Sequence, residues 1–174
     1  MNQKAIKLSV CFGTYNRLQY LKMILTHLIK ELEPIPYEIV IADGGSTDGT
    51  IEYLNNINHV VLIKQGGLSG AVNALCACME KARGDYTLFV NDHVFVNGEQ
   101  IIKGCKLMDS MPEVGAVVQK LYITPRSVPF KTFCNFKYFM HGNLGLFRRI
   151  YGDYIDKNYH TYYADNDLFS KSSL

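Results

Sequence analysis

The sequence predicts an α/β domain whose central sheet is mostly parallel and carries helices on both faces. Short apolar runs alternate with segments of helical periodicity along the chain, which is typical of repeated βαβ units. Residues 86–90, Tyr-Thr-Leu-Phe-Val, carry no charged side chain, and such runs are typical of parallel strands buried on both faces. The 174 residues, 48% of them hydrophobic, suit a single domain over residues 1–174 with a substantial core.

Each predicted element rests on a local signal. Apolar runs indicate the strands, and leucine and isoleucine recurring on one face of residues 18–31 indicate a helix that Pro34 and Pro36 end. Either Thr47 or Asp48 caps a short helix after the second strand. In chain order the sequence predicts a strand at 7–12, a helix at 18–31, a strand at 38–42, a helix ending near 54, a strand at 59–63, a helix at 68–83, a strand at 86–90, a helix from about 97 to 108 and a strand at 115–121.

Composition excludes several classes of function. The net charge is +2, so no polyanion-binding surface is expected and nucleic acid is not a predicted partner. The apolar runs are too short to span a bilayer and residues 1–8 lack a signal-peptide core, which predicts a cytoplasmic protein, at most peripheral to a membrane. The five cysteines are odd in number and form no CxxC pair, so reduced thiols are expected.

Polar side chains follow the predicted strand at residues 86–90 at the point where it ends. Asn91, Asp92 and His93 come directly after the apolar run. Open parallel sheets bind their ligands outside the carboxyl ends of their strands. Carboxylate oxygen and imidazole nitrogen suit a divalent ion such as Mg2+ or Mn2+. Asn and Asp also form turns that cap a following segment, so the triplet alone leaves a metal site and a simple turn open.

The first two strands end in further polar and glycine-rich segments, residues 13–17 and 43–50. In a parallel sheet these ends lie along one edge with residues 91–93 and form one crevice. Glycines let a backbone approach a ligand closely, and an acidic residue after a strand can hold a ribose hydroxyl or a base edge. The sequence has neither a GxxxxGK[ST] phosphate loop nor a GxGxxG fingerprint after the first strand. The crevice is therefore predicted to bind a nucleotide whose diphosphate is held by a metal.

Four segments carry a resemblance to a known family. Residues 8–17 (LSVCFGTYNR) and 38–50 (EIVIADGGSTDGT) resemble the opening segments of family 2 glycosyltransferases, which have the Rossmann-like GT-A fold. Residues 67–73 (GLSGAVN) and 82–86 (ARGDY) resemble the segment that leads to the DxD metal motif of that family. The similarity is close over residues 7–98 and looser beyond them.

The resemblance implies an inverting transfer of a sugar from a nucleotide diphosphate sugar to an acceptor hydroxyl, assisted by Mn2+ or Mg2+. It assigns residues 1–98 to donor binding and residues 99–174 to the acceptor side. It places the metal on Asp92 and His93, where His93 replaces a second carboxylate, and the catalytic base on Asp165. The residues implied in nucleotide-sugar binding are Thr14, Tyr15, Arg17, Asp43, Gly44, Asn73, Asn91 and Asp92.

The acceptor side is expected around His141, Asn143 and Asp167, in a stretch rich in aromatic residues. The aromatic rings suit stacking on sugars, and they equally suit packing over the sheet. Asp165 and Asp167 are also explained as acids at a helix N-terminus, where the helix dipole favours them. The expected donor is a UDP-, GDP- or dTDP-sugar, and the expected acceptor is a hydroxyl-bearing glycan, a lipid-linked molecule or a small molecule.

Two other classes of function remain open at this stage. A catalytically silent module would keep the fold and some nucleotide affinity, and the departure from the family pattern at Asn91-Asp92-His93 and the short C-terminal segment favour it. Gly44 stands where the family frequently has a second Asp, and Ala164 where it usually has Glu. A sugar nucleotidyltransferase on a similar fold would need a glycine- and lysine-rich phosphate loop after the first strand, which this sequence lacks.

Overall fold

The computed structural model describes residues 5–92, 94–118 and 144–148. In these ranges strands and helices alternate from the first strand to the fourth helix, as the sequence predicts. The elements are β1 (Leu8–Thr14), α1 (Leu18–Leu32), β2 (Tyr37–Asp43), α2 (Thr50–Asn55), β3 (Val60–Lys64), α3 (Ala71–Lys81), β4 (Tyr86–Val90), α4 (Gly98–Ser110), β5 (Ala116–Val118) and β6 (Leu144–Arg148).

The described strands form one sheet in the order β3-β2-β1-β4-β6-β5. β3, β2, β1 and β4 run parallel to one another, whereas β6 runs antiparallel to β4 and β5 antiparallel to β6. The carboxyl ends of β1 and β2 are in register, with Thr14 opposite Asp43. β6 begins at this same edge, because Leu144 pairs with Val90 at the end of β4. The predicted mostly parallel α/β sheet is confirmed.

Helices cover both faces of the sheet. The alternation of side chains along a strand sends Leu8, Val10 and Phe12 of β1 into one apolar cluster and Cys11 into another. The larger cluster receives buried side chains from α1, α2 and α4, including Leu25 of α1. The smaller cluster receives its helical side chains from α3, and it lies on the opposite face. Among the helices of the described ranges, none combines the length and apolar character that membrane crossing requires.

The structure differs from the sequence prediction at three points, namely the start of α3, the cap of α2 and the presence of β6. The helix predicted over residues 68–83 begins only at Ala71, because Gly70 before it has φ 87° and ψ 158°, which a helix cannot include. The N-cap position of α2 is held by Gly49 and not by Thr47 or Asp48, although Asp48 accepts a hydrogen bond from the Thr50 amide at 3.1 Å. β6 was not predicted. Its short run contains Gly145, which weakens strand propensity, and it follows an irregular stretch of sequence.

Candidate functional site

Asp92 lies just beyond the carboxyl end of β4 and is 8% exposed. Its Oδ2 accepts a hydrogen bond from the Thr14 hydroxyl at 3.2 Å, and its Oδ1 accepts one from Nη1 of Arg17 at 3.3 Å. Thr14 is the last residue of β1, the strand that neighbours β4, so the sheet itself brings these side chains together. Three of the predicted site residues therefore form one cluster at the predicted edge.

The Arg17 contact gives this largely buried carboxylate a cationic partner that is itself half exposed. The Arg17 side chain is 47% exposed, and its 3.3 Å contact with Asp92 is longer than a tight charge-assisted hydrogen bond. A carboxylate oxygen has two lone pairs and can accept more than one hydrogen bond or bind a metal ion. The contacts with Thr14 and Arg17 hold Asp92 in place at the edge of the sheet.

Asp43 is held quite differently at the end of β2. It is fully buried, and its Oδ1 accepts hydrogen bonds from the amides of Gly45 and Ser46 at 2.9 and 2.8 Å. Its Oδ2 accepts from the Ser46 hydroxyl at 2.5 Å. Gly45 has φ 90°, a conformation that L side chains rarely adopt, and this allows the tight turn around the carboxylate. The structure gives Asp43 a loop-forming role, and its predicted position near a nucleobase stays a prediction.

The loops after β1 and β2 are joined by hydrogen bonds between them. The Gly44 amide donates to the Thr14 carbonyl at 3.0 Å. The Asn16 amide donates to the Ser46 hydroxyl at 2.8 Å, and the Asn16 side chain accepts from the Thr47 amide at 2.8 Å. Asn16 has φ 51°, in the left-handed region that Asn tolerates better than most residues. The two loops therefore form one continuous polar wall of the crevice.

Asp48 extends this wall to the start of α1. Its Oδ2 accepts from the Leu18 amide at 2.9 Å, so a residue of the second loop caps the first helix. Its Oδ1 accepts from the Thr50 hydroxyl at 2.6 Å. The Thr50 hydroxyl, followed by the backbone amides, lowers the pKa of Asp48 below its ordinary value. The roles of Asn16 and Ser46 and the link to Leu18 were not predicted, because short-range sequence patterns do not report a contact across thirty positions.

An exposed apolar feature lies beside the polar wall. Tyr15 is 41% exposed and Leu68, in the loop before α3, is 71% exposed. Both side chains converge on Gly44: a Cβ placed there would lie 2.9 Å from Cδ2 of Leu68 and 3.5 Å from Cδ2 of Tyr15. The predicted residues Tyr15 and Gly44 are thus brought together, and Leu68 is a residue that sequence reasoning placed inside a helix instead.

The predicted residues Asn73 and Asn91 are both half-buried near the same edge. Asn73 lies in the first turn of α3, where its side-chain amide donates to the Ser69 carbonyl at 2.7 Å and fixes the start of the helix. Asn91 directly follows β4, and its carbonyl accepts from the Val94 amide at 3.1 Å. Five predicted residues, His93, His141, Asn143, Asp165 and Asp167, lie outside the described residues.

The chemistry of Asp92 fits a divalent cation. Within the ranges that the structure describes, no three His, Cys, Asp or Glu side chains come together as a ready-made metal cage. Mg2+ does not need one, since it is usually bound through one or two carboxylates together with substrate phosphates. Asp92 offers such a carboxylate at the edge of the sheet, held by Thr14 and Arg17.

Comparison with known proteins gives the family. The family model described as Glycosyl transferase family 2 matches residues 9–174. Poly(ribitol-phosphate) beta-N-acetylglucosaminyltransferase TarS of Staphylococcus aureus is 26% identical over 133 residues, which is 74% of this chain and 23% of TarS. Abequosyltransferase RfbV of Salmonella typhimurium is 34% identical over 85 residues, which is 45% of this chain and 26% of RfbV. The chain belongs to glycosyl transferase family 2.

Solved structures confirm the GT-A fold. The crystal structure of S. aureus TarS 1-349 in complex with UDP matches with a TM-score of 0.75 at 20% identity, covering 97% of this chain and 55% of that one. Mannosyltransferase PcManGT from Pyrobaculum calidifontis, in complex with GDP-Man and Mn2+, matches with a TM-score of 0.64 at 20% identity, covering 84% of this chain and 46% of that one. The chain therefore spans only part of the length of the relatives it matches.

Proposed function

We propose that this chain transfers a sugar from a nucleoside diphosphate sugar to an acceptor hydroxyl, with inversion at the anomeric carbon. The observation that carries the proposal is the cluster of Asp92, Thr14 and Arg17 where β1 and β4 end. The family membership supports the reaction class, and the structural likeness to TarS with UDP and to PcManGT with GDP-Man supports a nucleotide-sugar donor.

The donor is proposed to lie across the ends of β1, β2 and β4. Thr14, Asp92 and Asn91 would border the ribose and the diphosphate, since they supply hydroxyl, carboxylate and amide groups at one point of the edge. Arg17 is half exposed beside Asp92, from which its guanidinium can turn to a phosphate oxygen. Asp43 contributes through the loop that it shapes, because its own carboxylate is buried.

The metal is proposed to be Mn2+ or Mg2+, held by Asp92 and His93. When bound, such an ion stabilises the negative charge that develops on the departing diphosphate, an effect worth several kcal/mol. PcManGT, a structural neighbour of this chain, was solved with Mn2+. Asp92 is positioned for this task without the ion, because Thr14 and Arg17 already orient its two oxygens.

Asp165 is proposed as the base that takes the proton of the attacking acceptor hydroxyl. His141, Asn143 and Asp167 are proposed for the acceptor side. In chain order Asn143 directly precedes Leu144, which pairs with Val90 at the carboxyl end of β4. A hydroxyl-bearing glycan is the proposed acceptor, and the relative TarS, a poly(ribitol-phosphate) beta-N-acetylglucosaminyltransferase, supports an acceptor of this kind.

The test is a panel of nucleotide sugars assayed for release of nucleoside diphosphate with and without Mn2+. We expect metal-dependent release by the wild-type chain, loss of that release in D92N, and a fall of about 10²–10⁴-fold in D165N. D85N is the matched control, because Asp85 lies 63% exposed at the opposite edge of the sheet. Nucleotide binding without turnover under any acceptor would favour a catalytically silent module, and release of pyrophosphate would favour a nucleotidyltransferase.

A further inference from the structure

We propose that His27 of α1 is a positioning residue for the proposed metal site: by holding the Val96 carbonyl, it keeps the segment after Asp92 in the conformation that binds a divalent ion. This inference rests on the proposed function, since it concerns the same site. His27 lies in the second half of α1 and belongs to none of the loops that form the crevice. Its side chain nevertheless reaches the connection between β4 and α4.

His27 makes a short hydrogen bond to this connection. Its Nε2 lies 2.6 Å from the Val96 carbonyl oxygen. A carbonyl oxygen can only accept, so Nε2 carries a proton and donates it. The His27 ring also meets the Phe95 ring edge to face, with the two centroids 5.2 Å apart. One side chain of α1 therefore contacts two neighbouring residues of the connection.

The connection depends on such contacts for its conformation. Residues 94–97 form neither helix nor strand. The Val94 amide donates to the Asn91 carbonyl at 3.1 Å, which closes a turn that begins just before Asp92. Val96 follows two residues later and is 3% exposed, and its carbonyl is the group that α1 holds. The turn at Asp92 is thus followed at once by a point where the backbone is tied to a helix.

The same helix reaches Asp92 from the other side. Arg17 is the N-cap residue of α1, and its Nη1 lies 3.3 Å from Oδ1 of Asp92. One turn after His27, on the same face of the helix, Glu31 accepts from the Gly98 amide at 2.7 Å. α1 therefore holds the carboxylate itself and two later points of the chain. Loss of the contact between them leaves the backbone directly after Asp92 less well fixed.

The position of this backbone matters because a divalent ion is strict about geometry. Mg2+ requires a near-ideal octahedral arrangement of its ligands. Groups that orient the ligands without touching the ion commonly change metal affinity by about 10–100-fold. The proposed second ligand, His93, directly follows Asp92 in the sequence. His27 would contact neither the ion nor the donor, so it acts through the backbone of the segment that carries the ligands.

A set of substitutions separates the hydrogen bond from the rest of the His27 side chain. In H27Q the amide nitrogen can take the place of Nε2, whereas in H27N it is closer to the backbone by one methylene group and does not reach Val96. H27F keeps a ring beside Phe95 but has no donor. T26V is the matched control, because Thr26 is an exposed neighbour on α1 whose hydroxyl donates to the Lys22 carbonyl of the same helix.

Calorimetric titration of UDP and of GDP, in buffer with Mn2+ and in buffer with EDTA, tests the inference. The ratio of the two dissociation constants of a nucleotide measures what the metal adds to its binding. In H27N and H27F we expect this ratio to fall by about 10-fold, while the dissociation constant in EDTA stays at the wild-type value. H27Q should keep the ratio within about 3-fold of the wild-type value, and T26V should leave it unchanged.

Each outcome has a defined meaning. If Mn2+ strengthens nucleotide binding by the wild-type chain and H27N and H27F keep that gain, the inference is overturned and the proposed function stands. The same holds if H27Q loses the gain as fully as H27N, or if the variants weaken binding equally in Mn2+ and in EDTA. Urea unfolding shows which variants are folded, and if neither H27N nor H27F folds, His27 is a structural residue and the inference is overturned. If Mn2+ adds nothing to nucleotide binding by the wild-type chain, the proposed metal site fails and this inference fails with it.

Discussion

Two carboxylates at one edge of the sheet are held in different ways, and their partners separate their roles. Asp43 accepts from the backbone and hydroxyl of its own loop. Asp92 accepts from Thr14 and Arg17, side chains that arrive from another segment of the chain. Asp43 makes its hydrogen bonds within its own turn and therefore fixes the shape of that turn. Asp92 is held by side chains from the end of β1 and the residues after it, at the edge where the donor is proposed to bind. Asp92 is therefore the acid whose substitution tests donor binding most directly.

At the residue scale, Cys105 on α4 is predicted to be chemically silent in the folded protein. It is 3% exposed, and burial raises the pKa of its thiol to about 11. The thiolate is the reactive form, and at pH 8 a pKa of that size leaves roughly one thiol in a thousand ionised. Iodoacetamide at pH 8 should therefore modify Cys105 at least about 100-fold more slowly in the native protein than in urea, as measured by peptide mass spectrometry.

The urea-denatured sample serves as the control for intrinsic reactivity. Cys11, Cys76 and Cys78 are also buried, so they provide an internal comparison within the same digest. Burial is the largest cause that raises the pKa of Cys11, followed by its hydrogen bond with Cys78. Rapid native labelling of Cys105 would show that α4 opens from the sheet much more often than its packing indicates.

At the element scale, a buried polar network fixes the amino edge of the sheet, opposite the crevice. Glu38 of β2 is 2% exposed and accepts from Nε and Nη2 of Arg83 at 2.9 and 2.7 Å. The Ser9 hydroxyl donates to Glu38 at 2.7 Å and accepts from the Gly84 amide at 2.8 Å. The network thereby ties the turn between α3 and β4 to β1 and β2, which fixes where α3 ends and where β4 begins.

Substitution of Gly84 by Ala tests this close packing. A Cβ at Gly84 would lie 2.6 Å from the Ser9 amide nitrogen and 2.8 Å from the carbonyl carbon of Leu8. Because backbone atoms cannot move aside as a flexible side chain does, G84A should lower the free energy of unfolding by about 1–3 kcal/mol or more. The midpoint of urea unfolding, followed by circular dichroism at unchanged m-value, measures the change.

G67A is the matched control for G84A, because a Cβ at Gly67 meets nothing within 4 Å. Its free energy of unfolding should stay within about 0.5 kcal/mol of the wild-type value. Equal stability of G84A and wild type would mean that the turn between α3 and β4 moves away from β1, and the network around Glu38 would then not fix these elements.

The sequence predicts the strands and helices better than it predicts their exact boundaries and the contacts between their loops. Apolar runs and helical periodicity locate β1 to β4 and α1 to α4 within a few residues, because these signals are local. The start of α3 was placed too early, since the positive φ of Gly70 is a property of the folded backbone. Likewise, Asp48 caps α1 from thirty positions away, a contact that no local pattern contains.

The candidate site was likewise predicted where local sequence signals sufficed, and missed where contacts between loops decide it. A carboxylate after a buried strand was enough to select Asp92, and strand adjacency was enough to bring it to Thr14. The sequence did not reveal that the Asp43 carboxylate accepts hydrogen bonds from its own turn, or that the Leu68 side chain lies in the space left by Gly44. Both depend on how two loops lie against each other, which becomes visible only when the sheet is assembled.

On the scale of the whole molecule, a charged cluster joins both halves of the sheet at the amino edge. Lys7, just before β1, lies 2.6 Å from Oδ1 of Asp109 at the end of α4, and the Tyr86 hydroxyl of β4 donates to the same oxygen at 2.6 Å. Arg148 of β6 lies over the Tyr86 ring at 5.6 Å and donates to the Val114 carbonyl at 2.8 Å. The cluster therefore links the parallel strands to α4 and to the antiparallel strand β6.

Because of this cluster, part of the free energy of unfolding depends on pH. The hydrogen bond from Lys7, followed by that from Tyr86, lowers the pKa of Asp109 below its ordinary value. A carboxylate whose pKa is lower in the folded than in the unfolded chain adds stability above the unfolded value of about 3.9, and that stability is lost as the pH falls through the lowered pKa. The Asp109 side chain is 48% exposed, so solvent screening keeps its contribution to about 1 kcal/mol or less.

D109N should therefore lower the free energy of unfolding at pH 7, and its difference from the wild type should shrink as the pH falls from the unfolded pKa through the lowered pKa of Asp109. Urea unfolding of both proteins between pH 7 and pH 3 measures the difference, which should shrink as the pH falls below about 4. E52Q, at an exposed position on α2, is the control for loss of one negative charge outside the cluster. A difference between D109N and wild type that is constant across this range would show that Asp109 acts through packing, and that its ion pair with Lys7 does not hold α4 to the sheet.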